Sequence, residues 1–204
     1  MTTPASTTAE SSAPIVGVFG GSFNPPHLSH MLALAVVLAR FDVEKILVVP
    51  AFQHPFAKSL APYDDRVKMC ELAMGWLPRV EVSRVEEELG GESRTLWTIE
   101  HLRTKYPDKP LRFIMGADIM LESSKWYAFD RIAELAPPIV LGRVGIDYPG
   151  APAPVLPAIS STEVRAKLGA EGGGADLGTL AELVPKAVIE YARAHHLYSS
   201  QGAT

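Results

Sequence analysis

Short runs of apolar, often β-branched residues alternate along the chain with longer stretches in which apolar positions recur every three or four residues. Continuous runs at 15–19, 45–49, 80–84, 111–115 and 138–141 predict strands buried on both faces. Helical spacing at 27–40, 63–76, 96–106, 126–135, 160–168 and 185–195 predicts helices, the last opening on Pro185, which suits a first-turn position. Strand alternating with helix predicts a parallel α/β sheet. Residues 1–13, small and polar, read as a disordered leader, and 199–204 as a flexible tail. The stretches 145–157 and 169–178 are rich in Gly and Pro and predict surface loops. No internal repeat or second boundary interrupts 14–198, which reads as one domain.

Composition narrows the class. With 204 residues, 47% hydrophobic and 21% charged, the chain is globular and long enough to bury about 70% of its unfolded surface. The lone cysteine, Cys70, forms no internal disulfide, and no Cys/His cluster has zinc-site spacing. The longest apolar run, residues 31–39, falls far short of the roughly 20 residues a membrane span needs, and the N-terminus lacks a signal-peptide layout. These features predict a cytoplasmic protein with no membrane association. A net charge of −4 argues against a broad nucleic-acid-binding surface while leaving room for a local basic pocket. A small-molecule partner is expected.

The segment joining the first strand to the first helix, 17–30 (GVFGGSFNPPHLSH), carries the most chemistry. Ligands of open α/β sheets bind beyond the carboxyl ends of the strands, where this segment sits. Gly20 and Gly21 allow close backbone approach, and the free N–H groups of the helix start favour an anion. His27 and His30 share one helix face, so two imidazole donors and a helix dipole converge on one phosphate. A His-x-x-His pair in isolation is structural or incidental most of the time, with a metal pair as a further alternative.

The whole pattern G-G-S-F-N-P-P-H-x-x-H resembles the G-[ST]-F-[DN]-x-x-H-x-G-H signature of the nucleotidyltransferase superfamily, with Ser29 standing where that family has Gly. The resemblance implies a Rossmann-like doubly wound parallel sheet with flanking helices, of nucleotidyltransferase type. It implies ATP contacts at Gly20, Gly21, Ser22 and Phe23, a substrate contact at Asn24, and catalytic donors at His27 and His30. Residues 159–165 (ISSTEVR) resemble the superfamily's I-S-S-T-x-[IV]-R motif, in which Ser161 and Thr162 hold β- and γ-phosphates and Arg165 adds a forked cation. Alone, that stretch reads as an ordinary capped helix.

The middle of the chain resembles the nicotinate (or nicotinamide) mononucleotide adenylyltransferase family. Residues 114–118 (IMGAD) followed by Trp126 are similar to its G-[AS]-D and downstream W, which implies Gly116 and Asp118 at the nucleotide ribose and Trp126 at the pyridine ring. Core packing is the competing role for Trp126. Residues 97–102 (WTIEHL) resemble Y-T-I-D-T-L, carrying Thr98 over as a substrate contact despite Trp97, Glu100 and His101 at neighbouring positions. Lys58, in a loop one residue longer than the family's and lacking its P-P-H, is the candidate phosphate-binding lysine, and Arg143 matches the family's [VL]-x-R-x-G arginine. A solvated loop position is the alternative for both. Residues 183–198 match the family's closing helix.

The implied reaction moves AMP from ATP to nicotinate mononucleotide without a covalent enzyme intermediate, with Mg²⁺ accompanying the triphosphate and few protein ligands on the metal. The implied partners are ATP and a pyridine mononucleotide, with a homo-oligomer left open. Two alternatives stand beside it. One is a sister nucleotidyltransferase acting on nicotinamide mononucleotide, phosphopantetheine or another phosphate. The other is a nucleotide-binding module in which Ser29 and the altered Lys58 loop have abolished turnover.

Overall fold

The computed structural model describes residues 13–53, 60–169 and 180–198. Six strands form one sheet: β1 (Ile15–Gly21), β2 (Val43–Pro50), β3 (Val80–Val82), β4 (Leu111–Gly116), β5 (Pro138–Arg143) and β6 (Pro154–Leu156). Their spatial order is β3-β2-β1-β4-β5-β6, and every pairing is parallel. This is the doubly wound order, in which the direction of winding reverses between β1 and β4.

Side chains alternate across the sheet because successive Cβ atoms point to opposite faces. Ile15, Phe19, Ile46 and Val48 join one core with Leu34 and Val37 of α1 (Leu28–Arg40) and Met69, Cys70 and Ala73 of α2 (Tyr63–Met74). Val16, Val18, Leu47 and Val49 join the other with Val85 of α3 (Val85–Leu89), Ile99 and Leu102 of α4 (Thr95–Lys105), and, beyond α5 (Ala117–Leu121), Ile132 of α6 (Phe129–Leu135). Burial on both faces explains why these strands read as unbroken apolar runs. On the first face, α7 (Ser161–Gly169) contributes Val164 and α8 (Lys186–Ala194) contributes Val188, Ile189 and Ala192. No described helix is long and apolar enough to cross a membrane.

Five elements differ from the sequence expectation. Strand β6 lies inside the stretch expected to be a surface loop; it forms because Gly142 lets the chain approach β5 where any Cβ would collide with the Pro152 and Ala153 carbonyls. The expected strand at 80–84 stops at Val82, and α3 follows it with Gly90 closing the helix at φ 69°. Helix α5 begins directly at the end of β4. The helix expected from Trp126 starts at Phe129, because Trp126 closes a 3₁₀ turn and Ala128 takes a left-handed conformation, φ 51°. The expected leader, apart from Ala13, the tail at 199–204, and the 169–178 loop beyond Gly169 lie outside the described residues.

Candidate active site

At the carboxyl ends of β1 and β4, where the sheet reverses direction, the chain leaves a cleft of about 360 Å³. Such a switch point is where open α/β sheets hold nucleotides, and the volume suits a small-molecule site. One half is formed by Gly20, Gly21, His27, His30, Asp118 and Arg143, the other by Glu86, Arg94, Thr95, Lys125, Trp126 and Tyr127.

The turn after β1 is held from several sides. Phe23 adopts φ 44°, a region that strains non-glycine backbone, and is fixed there by near-complete burial and edge-on contacts with Phe19 and His30. A Cβ on Gly21 would press into the Phe23 ring at 3.2 Å, so the second glycine is a packing requirement as well as a route for ligand approach. Buried Arg66 of α2 donates from Nε to the Ala61 carbonyl at 2.9 Å and from Nη1 to the Ser22 carbonyl at 3.0 Å. No motif pointed to Arg66, and its helical position gave no sign that its partner is 44 residues away.

His27 caps α1 and stacks on His30, ring centroids 3.8 Å apart. The His27 backbone N–H donates to His30 Nδ1 at 3.1 Å. That bond makes Nδ1 the acceptor, so in the neutral ring the proton sits on Nε2, available as a donor. Burial, reinforced by the Arg143 guanidinium, pushes His27 down to about 3. Burial also holds His30 well below the ordinary imidazole range, with His27 and Arg143 adding to the effect. Both rings are thus held toward the neutral form, in which each is a hydrogen-bond donor and not a cation. Positive charge comes from Arg143, whose Nη1 meets Asp118 Oδ2 at 2.9 Å and whose Nη2 donates to the Ile159 carbonyl. Asp118 Oδ1 is buried without a partner among the described residues. A Cβ on Gly116 would collide with that carboxylate, so the glycine at the end of β4 is what lets Asp118 fold back.

Ser29 lines the cleft, and its hydroxyl donates to the Pro157 carbonyl at 3.3 Å. The late motif meets the early turn through its backbone carbonyls. Ser161 Oγ donates to the Pro25 carbonyl at 3.0 Å, and Arg165 donates from Nη1 to the Asn24 carbonyl at 2.7 Å and from Nη2 to Thr162 Oγ1 at 3.2 Å. Ser161, Thr162 and Arg165 are not among the residues lining the cleft. Nor is Asn24: its buried Oδ1 accepts from the Ala61 N–H at 3.0 Å and from the Tyr198 hydroxyl at 2.9 Å. Lys58 lies outside the described residues.

Across the cleft, Trp126 stands edge-on to Phe113 and Phe129 with part of its surface exposed to the opening, so the packing and ligand-facing roles coexist in one ring. Thr98 is buried and does not reach the cleft; its hydroxyl donates to Glu86 Oε1 at 3.1 Å, while its backbone N–H is bonded to the Arg94 carbonyl. The wall itself is made three to five residues earlier, by Ser93, Arg94 and Thr95 at the start of α4. Arg94 lies over the Tyr127 ring at 5.6 Å. Glu86, Arg94, Lys125 and Tyr127 gave no contiguous pattern, although Lys125 directly before the Trp126–Tyr127 pair was a readable hint.

Among the described residues no group of three or more His, Cys, Asp or Glu side chains could chelate an ion. The carboxylates reaching the cleft are Glu86, Asp118 and Glu122. This donor set fits a magnesium ion held chiefly by phosphate oxygens and water, and does not fit an ion caged by protein.

A doubly wound sheet with two imidazole donors at the switch point defines a nucleotide-handling protein, and the family described as "Cytidylyltransferase-like" matches residues 18–167. A protein of Anaeromyxobacter dehalogenans named "Probable nicotinate-nucleotide adenylyltransferase" is 46% identical over 90% of this chain and 96% of its own length. One of the same name from Myxococcus xanthus is 39% identical over 90% and 94%. The chain therefore belongs to the nicotinate-nucleotide adenylyltransferase family of this nucleotidyltransferase class. The fold is also that of a Plasmodium falciparum nicotinic acid mononucleotide adenylyltransferase complexed with NaAD, with a TM-score of 0.78, 18% identity, and coverage of 91% of this chain and 98% of that one.

Proposed function

We propose that the chain transfers the adenylyl group of ATP to nicotinate mononucleotide, giving nicotinate adenine dinucleotide and pyrophosphate in NAD biosynthesis. The observation that carries this reading is the stacked His27–His30 pair in a cleft shared with Trp126 and the first turn of α4. A phosphate oxygen of the mononucleotide attacks the α-phosphorus of ATP in line, the bond to the bridging β-oxygen breaks, and pyrophosphate leaves. The nucleophile is already an anion, so positioning and charge stabilisation do the work.

His30 donates from Nε2 to a phosphoryl oxygen, and His27, stacked on it, adds a second donor. Gly20, Gly21, Ser22 and Phe23 shape the ATP seat. Gly116 gives Asp118 room, and Asp118 Oδ1 accepts from a ribose hydroxyl. Arg143 brings permanent charge to the phosphates, and Lys58 adds a second cation. Ser161, Thr162 and Arg165 hold the turn from behind, with Arg165 contributing charge, and Asn24 braces the turn through its side chain. Trp126 stacks on the pyridine, and the N–H groups of the first turn of α4, which have no partner among the described residues, read its carboxylate near Thr98. Magnesium, when bound, neutralises triphosphate charge. The activity belongs to one domain over 14–198, working in the cytoplasm without nucleic acid or membrane.

The test is product formation from ATP with nicotinate mononucleotide, nicotinamide mononucleotide, phosphopantetheine or no acceptor at matched concentrations, read by pyrophosphate release and by identifying the dinucleotide. Nicotinate mononucleotide is expected to give the largest kcat/KM. Release with phosphopantetheine alone, or none with any acceptor, overturns the proposal.

A further inference from the structure

Three chain segments that are distant in sequence meet at one carboxylate on the Trp126 side of the cleft. Glu86, partly exposed in α3, accepts the Phe52 N–H on Oε2 at 3.1 Å and the Thr98 hydroxyl on Oε1 at 3.1 Å. Phe52 belongs to the segment leaving β2, and that segment is stitched to the start of α4 next door. The Ser93 N–H donates to the Gln53 carbonyl at 2.8 Å, and the Gln53 N–H donates to Ser93 Oγ at 3.1 Å. Ala51, Glu86, Ser93, Arg94 and Thr95 then form one continuous wall of the cleft.

We infer that Glu86 is a positioning residue for the acceptor mononucleotide: by gripping Thr98 and Phe52 together it fixes the first turn of α4 and the segment after β2 at the spacing the acceptor requires. The inference rests on the acceptor half assigned above. Glu86 need not touch the mononucleotide. Both of its oxygens are engaged by protein donors, and what it sets is the place of the Arg94 guanidinium and of the N–H groups around Thr95. If the carboxylate is removed, the Phe52 N–H loses its side-chain acceptor and the Thr98 hydroxyl keeps only the longer bond to the Arg94 carbonyl at 3.4 Å, and a charge-assisted hydrogen bond is stronger than a neutral one. The ATP half, built on β1, α1, β4 and β5, shares none of these bonds.

The experiment measures KM for each substrate in Glu86→Ala, Glu86→Gln and Thr98→Val, with thermal unfolding as a check on folding. Glu86→Ala should raise KM for nicotinate mononucleotide about tenfold and leave KM for ATP within about twofold. Glu86→Gln can turn its amide oxygen to the Phe52 N–H and its NH₂ to the Thr98 hydroxyl, so it should restore KM to within about threefold of wild type. Thr98→Val keeps the volume and removes one arm, and should give the same one-sided rise. The Glu86→Ala/Thr98→Val double variant should cost little more than Glu86→Ala alone, because both act through one brace. An equal rise in both KM values, an unchanged acceptor KM in folded Glu86→Ala, or a Gln variant as poor as Ala overturns the inference. Should Glu86→Ala fail to fold, the Thr98→Val split decides by itself. Wild-type protein inactive toward every pyridine mononucleotide would instead overturn the parent reading, and that result is read before any variant is made.

Discussion

The turn after β1 and the start of α7 both carry motifs suited to phosphate, yet they stand differently in the fold. In the first, His27, His30 and the two glycines open onto the cleft. In the second, the hydroxyl of Ser161 and the guanidinium of Arg165 are spent on carbonyls of the first. The contrast shows that two motifs can be joined in structure while only one of them lines the cleft. One presents donors, and the other holds the presenting backbone against the strain at Phe23.

Substitutions in the two regions should therefore separate. The largest effect is expected from His30→Ala, where loss of one preorganised donor lowers turnover about 10²–10³-fold with the fold intact. Next comes Arg143→Met, which removes the permanent charge from the phosphates and frees Asp118. A loss of about 10- to 100-fold in kcat/KM is expected, with an upward shift of the His27 titration followed by NMR.

Acid should weaken the early turn before it touches the late helix. The folded state holds His27 at about 3 while the unfolded chain titrates near the ordinary value of 6.5. Between those limits the unfolded state binds more protons, so stability is fully present above about pH 6.5 and falls as pH drops. The slope is up to about 1.4 kcal/mol per pH unit for each depressed imidazole. Urea unfolding at pH 7.5 and 5.0 measures this, and His27→Gln should flatten the difference. The smallest effect is Ser161→Ala, which leaves the Pro25 carbonyl without its partner at a cost of about 1 kcal/mol in stability and less than about threefold in turnover.

Legibility in the sequence followed the same division. The β1–α1 turn could be read because its chemistry is contiguous: glycines for approach, a helix start for the anion, and two histidines three apart on one face. The four long strands, β1, β2, β4 and β5, were readable because their largely buried side chains leave no polar alternation to obscure them. Strand β6 was hidden by its prolines and exists only because Gly142 admits it. The grip of Asn24 on Ala61 and Tyr198, of Arg66 on Ser22, and of Glu86 on Thr98 and Phe52 depends on residues brought close only by the sheet's crossovers. No local spacing encodes such partners. The charge state of the histidines was equally out of reach, since it follows from burial beside Arg143, more than 100 positions downstream.

The claim at the centre of this account is that the early turn performs the transfer while the late helix keeps it in shape. It is tested most directly by kcat for His30→Ala and Ser161→Ala, measured together at saturating ATP and nicotinate mononucleotide. The account predicts that the serine variant turns over at least about thirtyfold faster than the histidine variant. Equal losses in the two, or near-normal turnover by His30→Ala, would contradict it.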